Sequence, residues 1–341
     1  MNNMIQQMQL PAWLDNLIFR ELEANYQPQY SNLTNIDDNH EKALNYLGTY
    51  FPRSYAESYC IFTAYFQQHK ALFDDREELS IFDFGCGTGG EIIGLLTVLN
   101  ERFPNLKQVR IVPLDGNQYA LRLYEKVIAE LRKKVGFHIV NNVAPICIDD
   151  FYDLHILEDV LNKQFDIIIS FKAICEFVTK DQFEQQNAYE HIAKSLLPKL
   201  ADDGLMLLVD VTTYNEKSQQ WLPNMMDQGI KAADCNIVAR NEGYNQAINI
   251  CHSHKQNDVS KVAWRMITSK DHKDENVTVF NVGSINTSHT TRRKNGNIRM
   301  KTRDPYSRYA GTDAWEDGWS DEMIDDILNG DPENYWNIAD I

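Results

Sequence analysis

The sequence predicts an α/β fold built on a mostly parallel sheet, and three observations carry that reading. Between residues 79 and 211, short apolar runs alternate with segments of helical periodicity, the pattern of strands paired in parallel through right-handed crossovers. The first of these runs ends in a glycine-rich turn that opens directly into a helical segment. Two further apolar runs, 247–255 and 261–269, face each other across Gln256, Asn257 and Asp258 as an antiparallel hairpin. Five parallel strands and this hairpin make seven.

Taken in order, residues 1–78 read as an N-terminal helical region or cap. It is interrupted by a loop at 27–40, rich in Asn, Asp, Ser and Pro. Tyr55, Tyr59, Phe62 and Phe66 then recur at helical spacing and predict a packed face. The core domain, 79–270, is predicted to carry strands at 79–84, 109–114, 137–143, 165–171 and 205–211. Helices are predicted at 91–102, 118–133 and 221–233. Residues 271–341 form an extension with a basic segment, Arg292 to Arg308, and an acidic tail. Within the tail, Ser320 to Leu328 reads as a short capped helix with one apolar face.

The chain carries a formal charge of -16, but unevenly. Residues 313–341 hold ten acids and no Lys or Arg, so the other 312 residues, with 39 acids and 33 bases, are only mildly acidic. This balance disfavours nucleic acid as a partner. No run approaches the length of a membrane span, and the N-terminus lacks the basic and apolar regions of a secretory signal. The six scattered cysteines suit reduced thiols in a cytoplasmic protein. Cys251, His252 and His254 invite a metal reading. On a strand, however, the histidines and the cysteine point to opposite faces, so no metal site is predicted.

The strongest local signal is IFDFGCGTGGE, residues 81–91. Gly85, Gly87 and Gly89 let the backbone turn tightly and approach a ligand, and the next helix aims its first amides at it. Gly85, Gly87 and Gly90 also satisfy the dinucleotide pattern G-x-G-x-x-G. Three features together with the terminal hairpin lean away from a dinucleotide: Asp83 within the strand, Thr88 at the small polar position, and Asp115, which does not discriminate alone. Asp115 ends the second strand, where a carboxylate can accept both hydroxyls of a ribose.

Residues 79–270 thus resemble the class I, Rossmann-like methyltransferases. The motif D-x-G-x-G-T-G-G matches their first motif, and FDIIISFKAICEF (165–177) resembles their fourth-strand motif. The resemblance implies S-adenosyl-L-methionine as cofactor, held by Asp83, Gly85, Cys86, Gly87, Thr88, Gly89, Asp115 and Gly116. It further implies Asp149 and Asp150 near the adenine and Phe171 at the pocket floor. On the substrate side it suggests Arg53, Tyr55 and Lys172, with Glu176 as the candidate base. YFPRSYAESY (50–59) is faintly similar to a helix of ribosomal small-subunit-associated methyltransferase-like proteins, whose cysteine metal signature is missing here. Neither the N/D-P-P-Y/F signature nor a cytosine-methylating cysteine motif is present, and the charge favours a small molecule or protein as methyl acceptor over RNA. Two rival readings stand beside this one: a non-catalytic assembly or binding factor on the same fold, and an NAD(P)-dependent oxidoreductase. The sequence sets neither the acceptor nor the oligomeric state.

Overall fold

The computed structural model describes residues 8–28, 39–69, 72–177, 187–215, 220–243, 245–268 and 277–280. The basic segment, the acidic tail and the predicted helix at 320–328 lie outside the described residues. The chain opens with β1 (Met8–Gln9), α1 (Ala12–Asn16) and a π-helical turn (Leu17–Glu21), followed by α2 (His40–Thr49) and α3 (Phe51–Gln68). The alternating part comprises β2 (Glu78–Phe84), α4 (Gly90–Arg102), β3 (Gln108–Asp115), α5 (Gln118–Leu131), β4 (His138–Asn141), β5 (Ala144–Pro145), β6 (Phe165–Phe171), α6 (Ile174–Phe177), α7 (Ala188–Leu196) and β7 (Leu200–Val211). After it come β8 (Tyr214–Asn215), β9 (Gln220–Trp221), α8 (Leu222–Ala232), β10 (Asn236–Asn241), β11 (Gln246–His252), β12 (Lys255–Thr268) and β13 (Thr278–Phe280).

The main sheet runs β4-β3-β2-β6-β7-β12-β11-β1. The first five of these are parallel, β12 is antiparallel to both β7 and β11, and β1 adds a parallel edge beside β11. This is the Rossmann-like arrangement expected of the class I methyltransferase fold, with extra strands: eleven rather than seven join the sheet among the described residues. Both faces are covered. Ile81, Ile167 and Ile169 point to a core shared with α3, α4 and α5, whereas Phe82 and Ile168 point to one shared with α7 and α8.

One sequence expectation, the place of the hairpin turn, is corrected here. The hairpin turns at Ser253 and His254, and Gln256, Asn257 and Asp258 lie within β12. Strand β12 is long enough to pair with β11 along its first half and β10 along its second. β10 and β11 are therefore consecutive lengths of one edge, interrupted near Gly243, whose φ of 69° is the left-handed region. The N-terminal region, moreover, shares the core of the sheet: Leu14, Ile18, Leu47, Tyr55 and Phe62 are buried in it.

Contact between α3 and α4 depends on two glycines. A Cβ on Gly90 would lie 2.4 Å from the carbonyl oxygen of Phe51, and one on Gly94 2.5 Å from that of Tyr55. The helices thus meet backbone to backbone, and α3 is held over the start of α4.

Candidate functional site

The site forms where β2 ends and α4 begins. Gly85, Gly87 and Gly89 have φ of 76°, 49° and 80°, all left-handed, so the turn needs glycine at each position. Both Gly85 and Cys86 donate their amides to the carbonyl of Leu114 at 2.9 Å, tying the loop to β3. The Cys86 thiol is buried, and burial pushes it well above its usual range. Thr88 is buried, with no hydrogen-bond partner for its hydroxyl oxygen among the described residues.

Asp115 ends β3, as the sequence predicts. Its carboxylate accepts from the amide of Gly87 and from that of Asn117, each at 2.7 Å. Burial pushes it up to about 6, against the pull of those amides. Gly116 follows, where a Cβ would lie 3.2 Å from the Cα of Cys147. Through β5, which pairs with Leu114 and Asp115, the segment carrying Asp149 and Asp150 is brought to the same end of the sheet. Both are exposed there, and Asp150 accepts from the amide of Tyr152 at 2.9 Å.

Beneath the loop lies a buried group of charges that the sequence reading did not assemble. Asp83 is fully buried, and neither of its carboxyl oxygens receives a hydrogen bond from an N–H or O–H of the described residues. Beside it is Glu91, in the first turn of α4 and also buried. Burial raises both carboxyls. Asp83 is pushed well up, with Glu91 and Asp115 adding to the effect, and Glu91 rises to about 8 even though nearby Lys172 favours its charged form. The Lys172 ammonium lies 2.9 Å from the carboxylate of Glu57 on α3, which also accepts from the hydroxyl of Ser260 on β12. Lys172 has a φ of 55°, an uncommon conformation for a side chain of its size, and its amide donates to the carbonyl of Val209 at 2.7 Å.

The remaining sequence candidates fall in different places. Phe171 is buried at the end of β6, beside Ser170, whose hydroxyl donates to the carbonyl of Phe84 at 3.0 Å. Arg53 lies on α3 and is buried. It forms a buried bidentate contact with Asp258 on β12, with nitrogen–oxygen distances of 2.7 to 3.0 Å. Tyr55 is buried on α3 where that helix packs against α4. Glu176 lies on α6, but its side chain is outside the described residues. His252 and His254 both pack against Phe19, at centroid distances of 5.1 and 4.5 Å. An open surface depression of about 650 Å³ lies on the outer side of α5, lined by His40, Tyr119, Arg122, Lys126 and Arg132, and is separate from the glycine loop.

No protein-family model matches the chain, and no curated protein matches it in sequence. Solved structures do match in shape. One, from Listeria monocytogenes, is described as a class I S-adenosylmethionine-dependent methyltransferase. It is 12% identical, with 80% of this chain and 84% of that chain covered and a TM-score of 0.44. The cyclopropane synthase MmaA2 of Mycobacterium tuberculosis is 13% identical over 70% of this chain and 74% of its own, at a TM-score of 0.36. A Pyrococcus horikoshii protein described as an RNA methyltransferase is 12% identical over 77% of this chain and all of its own, at 0.38. At such distances these likenesses carry no functional argument, which rests on the site itself.

Proposed function

We propose that this chain is an S-adenosyl-L-methionine-dependent methyltransferase. The observation that carries the reading is the charge beneath the glycine loop. A dinucleotide places its pyrophosphate at the helix N-terminus that follows such a loop. Here that end holds two buried carboxyl groups, Asp83 and Glu91, with Lys172 the one nearby cation among the described residues, and Lys172 is paired with Glu57. A phosphate brought to this position finds two buried carboxyl groups and no unpaired cation among the described residues, whereas a cofactor bearing an ammonium and a sulfonium can take a carboxylate of the pair as its counter-ion. This argument counts against an NAD(P)-dependent oxidoreductase on the same fold.

The donor set fits the cofactor. Asp115 would accept the ribose hydroxyls, Gly85, Cys86, Gly87, Thr88 and Gly89 would let the backbone close on it, and Gly116 with Asp149 and Asp150 would border the adenine. Phe171 would form the floor. When bound, the cofactor supplies a methyl group open to in-line attack. The chain aligns the acceptor from the ends of β6 and α3, with Lys172 and Glu57 as a fixed buried strut and Glu176 as the candidate base. The mildly acidic body favours a small molecule or protein as acceptor.

Calorimetry with S-adenosylmethionine, S-adenosylhomocysteine and NAD tests the reading. The first two should bind and NAD should not; binding of NAD alone overturns it. Transfer of labelled methyl into fractionated cell extract then separates an enzyme from a silent binder, and shows whether the label enters small molecules, protein or RNA.

A further inference from the structure

We propose that Asp83 and Glu91 act as a proton-exchanging pair: they share a proton when no cofactor is bound and release it when the cofactor's ammonium group docks, so that Glu91 couples cofactor affinity to pH. The inference rests on the cofactor reading above and adds a regulatory property to that site.

The geometry supports it in three respects. Asp83 is fully buried at the end of β2 with both carboxyl oxygens lacking a donor among the described residues, an arrangement that leaves one proton or one cation to be supplied. Glu91 faces it from the first turn of α4, and two buried carboxyls in contact cannot both ionise without a compensating charge. The other groups around the pair do not provide that charge. Asp115 and Cys86 approach from β3 and the loop, Tyr124 from α5 and Glu57 from α3, and all are acids. Lys172 is the one cation among these neighbours, and its ammonium is 2.9 Å from Glu57.

Glu91 is the better supported carboxylate of the two. Its helix N-terminus and Lys172 both favour its charged form, although burial still raises it to about 8, and burial together with Glu91 and Asp115 pushes Asp83 well up. The exchange balances: the protonated pair and an ammonium ion become a carboxylate–ammonium pair, and one proton passes to solvent. Affinity should therefore rise as pH climbs from about 6 towards 8, by up to about tenfold per pH unit, and level off above.

The test is calorimetry of the full chain with S-adenosylmethionine and with S-adenosylhomocysteine near neutral pH, in two buffers of different ionisation enthalpy. Both ligands carry the ammonium, so both should release about one proton per molecule bound. Glu91→Gln should cut the release to near zero and flatten the pH dependence, and Asp83→Asn should do the same. A wild-type binding enthalpy identical in the two buffers, with affinity flat in pH, overturns the inference while leaving the cofactor reading intact. Proton release undiminished in both variants also overturns it. If the folded protein binds neither ligand, the cofactor reading falls and the inference with it.

Discussion

Asp115 is the residue whose position and chemistry agree most closely. Its carboxylate is already oriented by the amides of Gly87 and Asn117, so it needs no rearrangement to accept a further pair of hydroxyls on its remaining lone pairs. Replacing it with Ala removes a charged acceptor and should weaken S-adenosylhomocysteine binding by about 1.5 to 3 kcal/mol, read directly by calorimetry. The strut between Glu57 and Lys172 makes a different prediction. Lys172→Met leaves a fully buried carboxylate unpaired and should cost about 3 to 5 kcal/mol in denaturant unfolding. Glu57→Gln combined with Lys172→Met removes both charges and should recover most of that loss. A double variant no more stable than Lys172→Met alone would show that the charge pair is not what the fold depends on.

At the scale of elements, the meeting of α3 and α4 is set by Gly90 and Gly94. Gly94→Ala would ordinarily favour a helix by up to about 1 kcal/mol. Here the added methyl meets the carbonyl of Tyr55 at 2.5 Å, and separating the two helices should produce a net loss of stability of about 1 to 3 kcal/mol. Gly136→Ala, whose nearest neighbour would be 3.7 Å away, serves as the neutral control in the same thermal melts. Elements of this kind differ in how far they can be read from sequence. The strand 165–171 is recovered to the residue because Ile167, Ile168 and Ile169 at its centre are buried on both faces and the polar Gln164 and Lys172 lie just beyond its ends. The hairpin turn is misplaced because the stretch from Ser253 to Asp258 is polar throughout, and polarity alone does not separate a two-residue turn from the start of a long strand. Strand β1 spans only two residues and leaves no periodicity to find. The glycine loop is legible because its conformation demands a residue type. The charges around it are not: Glu57 is 115 positions from Lys172, and Arg53 is 205 from Asp258, so only the sheet brings them together.

The whole molecule carries two sets of buried carboxyls that respond to pH in opposite directions. Asp258 joins the N-terminal region, α3 and the hairpin: it accepts from Arg53 and from the hydroxyl of Tyr26 at 3.1 Å, with the His252 ring at 3.5 Å. Burial works to raise Asp258, but its contacts with His252 and Arg53 outweigh that effect and hold it below the usual carboxylate range. Its contribution to stability is present above its unfolded value of about 3.9 and is lost as pH falls below it. Asp83, Glu91 and Asp115 are instead raised by burial, so the folded protein binds protons that the unfolded chain has already lost. Their contribution favours the fold at low pH and diminishes as pH rises from about 4 to about 8. The ligand-free protein should therefore be most stable in a mildly acidic window and lose stability steadily towards pH 8. Denaturant unfolding of the wild type and of the Asp83→Asn, Glu91→Gln double variant across that range measures the effect. The variant should show a clearly shallower decline on the alkaline side, because two of the raised carboxyls no longer titrate while Asp115 and Asp210 still do, and an unchanged decline on the acid side, where Asp258 governs. Parallel curves for the two proteins on the alkaline side would place the pH response elsewhere in the chain and remove the buried pair from the account of its stability.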